Sequence, residues 1–533
     1  MNGPSCWLQS SLSRVFPATA SEDVQRISLV SARGGKVSFQ ACVRNETTAA
    51  VDVSVEVECS EDVSVRARRV GYVFVKHLNT ETEAEELDGI GRIPGPAPDP
   101  LFSDCQVQIG PYESHSFWVE VFVPGDCPVG EQAITVKFKA GDDFLPEMQA
   151  TVRAAQLVLQ PRRGFPVTHW FYADAICDWY RVDPYEERFW TIVEPYMRDL
   201  VEHGGDCQYV PIFTPPTDGV KRPHQLIGVR EVSQGKYEFD FTLVKRWTDL
   251  ATSCGAQMFE WTHFFWQWGV EKALRIYRSN SDPDSLLWPF ETGATSDIYR
   301  NFLAQFLPEF HKFLVAEDLL GKSLFHVSDE PHGDDHLANY RAARSLLKEL
   351  APWMRVADAM SDIRYGKEGL TDIPIPVTSS AREYLDAGIE SWVYFCCGPR
   401  GPYLNRLIDT PLAKIRMAGW IFYRLKAQGF LHWGYNYWHK FQTQQMTDPF
   451  TQDCGDAWPG LAHGDPYVVY PGENGPLPSI RWEVWAESLQ DYAILQTAGI
   501  DPDDPRLAAI RDYNDFPKNE EWITELRESV LLG

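Results

Sequence analysis

A chain of 533 residues is too long for one ordinary hydrophobic core, so two or more domains are expected. Its 44% hydrophobic and 23% charged residues are the balance of a folded globular protein and exclude a disordered chain. The formal charge of −26 argues against a nucleic-acid or anionic-membrane partner, since both need lysine and arginine patches, and favours a neutral one.

Residues 25–160 read as all-β. "KVSFQACVRN" (Lys36 to Asn45), "VDVSVEVECS" (Val51 to Ser60), "SHSFWVEVFV" (Ser114 to Val123) and "QAITVKFKA" (Gln132 to Ala140) alternate apolar and polar residues. Period-two runs separated by Gly, Pro and Asn turns predict an antiparallel β-sandwich. The stretch from Asn79 to Asp104, rich in Pro, Gly and Glu, is expected to be a long loop. No chemistry is visible in this domain, which reads as a packing or carbohydrate-binding module.

"LQPRRGFP" (Leu159 to Pro166) is the expected linker, and the rhythm changes after it. Strands are expected at Phe165 to Tyr172, Cys207 to Phe213, Gln257 to Phe265, Ser323 to Val327, Met354 to Ser361, Ile375 to Ser380, Ser391 to Cys397 and Gly429 to Trp438. Helices are expected at Pro184 to His203, Phe239 to Gly255, Ser296 to Glu317, His336 to Leu350, Pro411 to Ala427 and Ser479 to Thr497. Such alternation predicts an α/β fold, a (β/α)8 TIM-like barrel with C-terminal helices over residues 161–533, after a sandwich over residues 1–160. A doubly wound open sheet is the alternative. No G-x-G-x-x-G after a strand and no P-loop occurs, so nucleotide binding has no motif behind it.

The 11 cysteines include no Cys-x-x-Cys, which speaks against a zinc ribbon or a disulfide framework. The start "MNGPSCWLQSSLSRVF" does not read as a signal peptide, and no apolar run approaches the ~18 residues of a membrane span. A cytoplasmic location is expected, with no membrane partner. A homo-oligomer is compatible with the sequence.

A barrel of this kind carries its site at the C-terminal ends of its strands. Those ends deliver His169, Trp170 and Tyr172; Tyr209 and Thr214; Glu260, His263, Trp266 and Trp268; Asp329, Glu330 and His332; Tyr394 and Cys396; and Trp433, Tyr435, Asn436 and Trp438. Aromatics at 13%, with 19 Trp, serve as core or as stacking platforms for rings such as sugars. For a lone histidine such as His169, His263 or His326, a hydrogen-bonded core role is the simpler reading. His332 and His336 have the i, i+4 spacing of a helical metal pair, but the zincin pattern is absent and no metal is expected. Trp433 and Trp438 have an odd separation, so on a strand they face opposite sides. No Gly-x-Ser-x-Gly elbow is present.

The adjacent acids of "SDEP", Asp329 and Glu330, stand out. Two close carboxyls raise one another's pKa, so one can stay protonated beside an anionic neighbour. Glycoside cleavage needs that division, although a helix cap would use the same residues. Adjacent residues rarely flank a sugar from opposite faces. A substrate-assisted route tolerates adjacency better: the 2-acetamido oxygen of the substrate attacks, and no cofactor is needed.

"SDEP", "GFLHWGYNYW" and "GDPYVVYPGENGPLPSIRWEVWAESLQDYAIL" (Gly464 to Leu495), with "GGKVSFQACVRN" (Gly34 to Asn45) near the start, together resemble glycoside hydrolase family 123. The resemblance implies a sandwich followed by a barrel, and activity as a retaining exo-β-N-acetylgalactosaminidase on a carbohydrate substrate. It implies Glu330 as general acid/base, Asp329 as holder of the acetamido group and Tyr394 as a contact of its carbonyl. Trp433, Asn436 and Trp438 would line the sugar site, and Asp465 would bind a hydroxyl. His169, His263, Trp266 and His332 join them as candidate sugar contacts from their strand-end positions. The family often reads Gly-Asp-Gly where this chain has Gly464-Asp465-Pro466. The competing readings are a glycosidase for a sugar without the acetamido group and a non-catalytic glycan-binding protein.

Overall fold

The computed structural model describes residues 3–217, 221–452 and 461–533. Two mainly antiparallel sheets face each other at the N-terminal end. The first runs Ser5–Ser10, Gly35–Arg44, Ser114–Val123, Ser64–Val75, Gly95–Phe102. The second runs Arg26–Arg33, Met148–Val158, Gly130–Ala140, Val51–Cys59, Gln106–Ile109, with one parallel pairing between its first two strands. Val37, Phe39, Val119 and Val121 of the first share a core with Ile134, Val136 and Phe138 of the second.

The outer face of the second sheet is wet, so its strands alternate as amphipathic strands should. The first sheet does not. Its outward polar residues Ser38, Gln40, Ser116 and Glu120 are buried as well. The helix Ile480–Thr497 packs over that face. Lys36 Nζ reaches Glu120 at 2.9 Å and Glu483 of the helix at 2.7 Å. Arg68 Nη2 reaches the same two carboxylates at 2.6 and 2.5 Å. Buried charges are tolerated when each has such partners. Ser479 caps the helix by accepting from Trp482 N at 3.1 Å, and the helix is buried on nearly every face.

The stretch expected to be a loop from Asn79 to Asp104 contains the strand Gly95–Phe102. Its prolines are compatible with a strand because it is an edge strand, where a missing N–H costs no ladder bond.

The rest of the chain is built on a curled parallel sheet ordered Ser323–Leu324, Met258–Trp261, Cys207–Val210, Val167–His169, Phe430–His432, Val393–Tyr394. A further parallel pair, Ala357–Ala359 and Ile373–Ile375, is bridged to one end through Phe325–Val356 and to the other through Val377–Tyr394. The strands are shorter than their apolar runs suggest: Phe165 to Tyr172 yields three strand residues. Helices Glu187–Glu202, Thr242–Ser253, Asp297–Ala316, Gly333–Leu350 and Thr378–Asp386 lie between successive strands. Two expectations shift. The helix expected from Phe239 starts at Thr242, because Lys236–Asp240 pairs with Gly228–Ser233 and Asp240 Oδ1 accepts from Thr242 N at 2.9 Å. The strand expected over Ile375 to Ser380 ends at Ile375, and a helix begins at Thr378. Among the described residues no helix is long and apolar enough to cross a membrane.

Candidate active site

The strand from Ser323 ends in the turn that carries the acidic pair. Ser328 Oγ donates to the Trp266 carbonyl at 2.8 Å, and the Asp329 carbonyl accepts from Trp268 N at 2.8 Å. Glu330 N donates to the Ala359 carbonyl at 3.1 Å. Both neighbouring strand ends therefore hold this turn. Glu330 itself has φ +44°, a left-handed backbone that costs a non-glycine residue roughly 1–3 kcal/mol and persists only where its surroundings enforce it. Such strain collects at functional positions. Pro331 follows, and the next helix begins at Gly333.

Asp329 and Glu330 line a cavity of about 140 Å³. Trp170, Trp268 and Trp433 wall it, with Tyr394, Asp465 and Phe441 around them. A cavity of ~150 Å³ takes a six-membered ring such as benzene, and this one is of that scale. The Tyr394 hydroxyl donates to Glu330 Oε1. Burial, then the neighbouring Glu330 charge, pushes the Tyr394 phenol well above its ordinary pKa, so it stays a donor. Its one proton is already given to Glu330, so a substrate carbonyl would have to take it from the carboxylate. Opposite, Asp465 Oδ2 accepts from Trp433 Nε1 at 2.7 Å, and Oδ1 lies 3.2 Å from His432 Nε2. His432 Nδ1 accepts from Gly434 N at 2.9 Å, which leaves the ring proton on the nitrogen facing Asp465. Burial, then Arg406, holds that ring at a pKa of about 4, so it is neutral. Pro466, where the family often has glycine, is accommodated: its carbonyl accepts from Tyr437 N at 3.1 Å.

A second acidic group lies among neighbouring strand ends and is closed to solvent. Glu260 accepts from Trp170 Nε1 at 2.8 Å and from Thr168 Oγ1. His326 Nε2 lies 2.7 Å from Glu260 Oε1, and its Nδ1 lies 3.1 Å from Asp358 Oδ1. Asp358 also accepts from Tyr340 Oη at 2.6 Å and Val327 N at 3.0 Å. This belt spans four strand segments and ties the cavity wall, through Trp170, to the segment leading into the acidic turn. Burial disfavours a charged imidazole, but the hydrogen bonds to Asp358 and Glu260 outweigh it and push His326 up to about 9. His263 stacks on His326 at 4.4 Å and stays neutral because it is buried and faces that ring. Among the described residues, the ligand atoms of His263, His326 and Asp358 lie within 4.8 Å of one another, close enough for a metal. Both His326 nitrogens, however, already face carboxylates.

Of the residues singled out in the sequence, Asp329, Glu330, Tyr394, Trp433 and Asp465 come together in the cavity, with the strand-end residues Trp170, Trp268 and Cys396. The remaining candidate sugar contacts do not line it. His169 is buried edge-on against Trp482 at 4.9 Å. Trp438 is fully buried and donates to the Val469 carbonyl at 3.1 Å. Asn436 bonds both backbone groups of Tyr172, which packs on Trp433. Trp266 packs on Phe290 and under the Arg275 guanidinium. His332 is exposed, its Nδ1 3.3 Å from the Glu330 carbonyl, and it precedes the helix rather than sharing it with His336. Phe441 and Leu461 line the cavity without any signal in the sequence, because they sit in irregular chain. A wider cleft of about 670 Å³ beside Arg66, Arg68 and Arg198 carries charges that pair with their own neighbours, such as Arg198 with Glu194 at 2.8 Å.

No curated protein matches the sequence. A family 123 glycoside hydrolase from Clostridium perfringens, solved to detail glycolipid glycan hydrolysis, matches 99% of this chain and 97% of its own with TM-score 0.74 at 14% identity, so the two share a fold. A Bacteroides ovatus GH5 xyloglucanase (10% identity, 89% and 99% covered) and an Eisenbergiella tayi GH2 β-galacturonidase (11%, 91% and 72%) reach only 0.30, too low to bear on this chain. The model of the glycoside hydrolase 123 catalytic domain matches residues 170–498, more than half of the sequence. The chain belongs to glycoside hydrolase family 123.

Proposed function

We propose that this glycoside hydrolase is a retaining exo-β-N-acetylhexosaminidase, acting on β-linked N-acetylgalactosamine by substrate-assisted catalysis. The observation that carries the reading is the pair Asp329–Glu330 on the wall of a cavity lined by Trp170, Trp268 and Trp433. The bridges through Val356 and Val377 support reading the curled sheet as a closed eight-stranded barrel, entered after a sandwich that ends near residue 160. The glycolipid glycan hydrolysis named for the Clostridium perfringens enzyme agrees with a glycoconjugate substrate.

In the first step the acetamido carbonyl oxygen attacks C1 of the sugar. The C1–O bond breaks, its electron pair goes to the leaving oxygen, and Glu330 delivers the proton there. Asp329 accepts from the acetamido N–H and balances the positive oxazolinium ring. In the second step Glu330 takes a proton from water, the water oxygen bonds C1, and the ring electrons return to the acetamido group. Two inversions leave the β configuration. Tyr394 orients Glu330 throughout. Trp433, Trp268 and Trp170 face the sugar ring, and Asp465 accepts from a hydroxyl.

The test is a set of aryl β-glycosides of N-acetylgalactosamine, N-acetylglucosamine, galactose and glucose. Turnover confined to the 2-acetamido sugars, with tight binding of an N-acetylthiazoline mimic of the bicyclic intermediate, is the expected result. Cleavage of the plain hexosides alone would sink the acetamido route, and sugar binding without any turnover would indicate a lectin-like protein.

A further inference from the structure

The N-terminal sandwich holds a turn beside the cavity through two buried side chains. Asn79 lies between the first sheet's strands Ser64–Val75 and Gly95–Phe102 and is 5% exposed. Its backbone N donates to Asp409 Oδ2 at 2.7 Å, and its Nδ2 donates to Asp409 Oδ1. Its Oδ1 accepts from His463 N at 3.0 Å. The His463 carbonyl in turn accepts from Ile408 N at 2.9 Å. One asparagine thus joins two loops of the catalytic part, two residues before Asp465.

Asp99 does the equivalent on the other side. It lies in the edge strand and is fully buried. Its carboxylate takes both forks of Arg481, at 2.9 and 2.8 Å, and the Tyr470 hydroxyl at 2.6 Å. Arg481 passes the constraint on by donating to the carbonyls of Gly464 at 2.7 Å and Tyr467 at 3.2 Å. A bidentate guanidinium–carboxylate pair is among the most geometrically defined contacts a protein makes. The turn 463–467 therefore has its backbone held at residue 463 by Asn79 and at residues 464 and 467 by Asp99 through Arg481. Asp465 stands between these anchors and faces the cavity with Trp433.

We propose that the sandwich is part of the sugar-recognition apparatus: Asn79 directly, and Asp99 through Arg481, are positioning residues that set Asp465 against a hydroxyl of the bound sugar. The inference rests on Asp465 being a sugar contact. A displacement of about 1 Å at such a contact is enough to cost binding and turnover. Freeing the 463–467 turn should weaken recognition of the ring without removing the acid or the acetamido holder.

The experiment uses the full chain and steady-state kinetics on an aryl β-N-acetylgalactosaminide, with thermal unfolding as a control on folding. Asp465→Ala should lower kcat/KM by about 100-fold, and Asn79→Ala by about 10-fold, both mainly by raising KM. Asp99→Asn, which keeps the shape and weakens the Arg481 pair, should give the same pattern in a folded protein if Asn79→Ala is too unstable. The double variant Asn79→Ala/Asp465→Ala should be no worse than Asp465→Ala alone, because the positioning residue has nothing left to position. Fully additive losses, or a lower melting temperature with KM unchanged in Asn79→Ala and Asp99→Asn, would overturn the inference and leave the role of Asp465 standing. Unchanged kinetics in Asp465→Ala would remove the sugar-contact reading itself.

Discussion

Two groups of acids share the strand ends of the curled sheet and behave oppositely. Asp329 and Glu330 open onto a cavity, on a turn whose backbone is forced into a left-handed conformation. Glu260 and Asp358 are sealed away, each with an imidazole nitrogen and two other donors. The closed pair has all its hydrogen-bond needs met by the protein and so holds the strands together. The open pair lines a cavity that a ligand can enter. The residue types are the same, and the difference lies in the access of a ligand.

The sharpest way to break the comparison is to neutralise one member of the open group. Glu330→Gln should lower turnover of substrates with poor leaving groups by about 10²–10⁴-fold, while urea unfolding stays within ~1 kcal/mol of the parent. Full activity on natural glycosides would end its role as acid. The closed group should respond in the other currency. His326→Leu strands two buried carboxylates and should reduce unfolding free energy by about 3–5 kcal/mol. An unchanged urea midpoint would show that the belt is not an ion-paired structure.

A pH series sharpens the same point. His326 has a folded pKa of about 9, above the ordinary 6.5, so the folded state binds its proton more tightly. Its contribution is complete below pH 6.5 and is lost as pH climbs through 9, about 3 kcal/mol in all. The difference in stability between the parent and His326→Leu should narrow over that window. A constant difference would mean the ring is neutral. The smallest expected effect belongs to the strained backbone. Glu330→Gly should abolish acid catalysis yet raise stability by about 1 kcal/mol, because glycine adopts positive φ without penalty. A destabilised Glu330→Gly would mean that contacts of the side chain, and not the backbone angle, dominate there.

Much of this was legible in the sequence where a local rule decides. The helix expected from Ser479 begins there, where the serine hydroxyl caps its first turn. Gly130–Ala140 showed its period of two, every second residue from Gln132 to Ala140 being buried. The acidic pair was legible as a candidate because two adjacent carboxylates precede a proline at a strand end, with a helix cap as the competing use. Tertiary context decided the rest. "GPAPDPLF" has the composition of a loop and is a strand because it lies at an edge. Trp438 was expected beside the sugar from the family resemblance, but the strand stops at His432 and the indole lies fully buried. Trp268 rather than Trp266 lines the cavity, from a turn in which its φ is positive. Phe441 and Leu461 could not be anticipated, since irregular chain has no period to extrapolate.

The polar outer face of the first sheet bears on how such chains change over generations. Glu120 and Glu483 share Lys36 and Arg68 across the junction between the sandwich and the last long helix. A charge reversal on either side alone would strand an ion in the interior, so these four positions should vary together among relatives. The segment that defines the family, residues 170–498, contains only one of the four. The two halves of the molecule should therefore be inherited as a unit, and exchanging sandwiches between distant relatives should fail unless the residues that meet at this seam are exchanged with them.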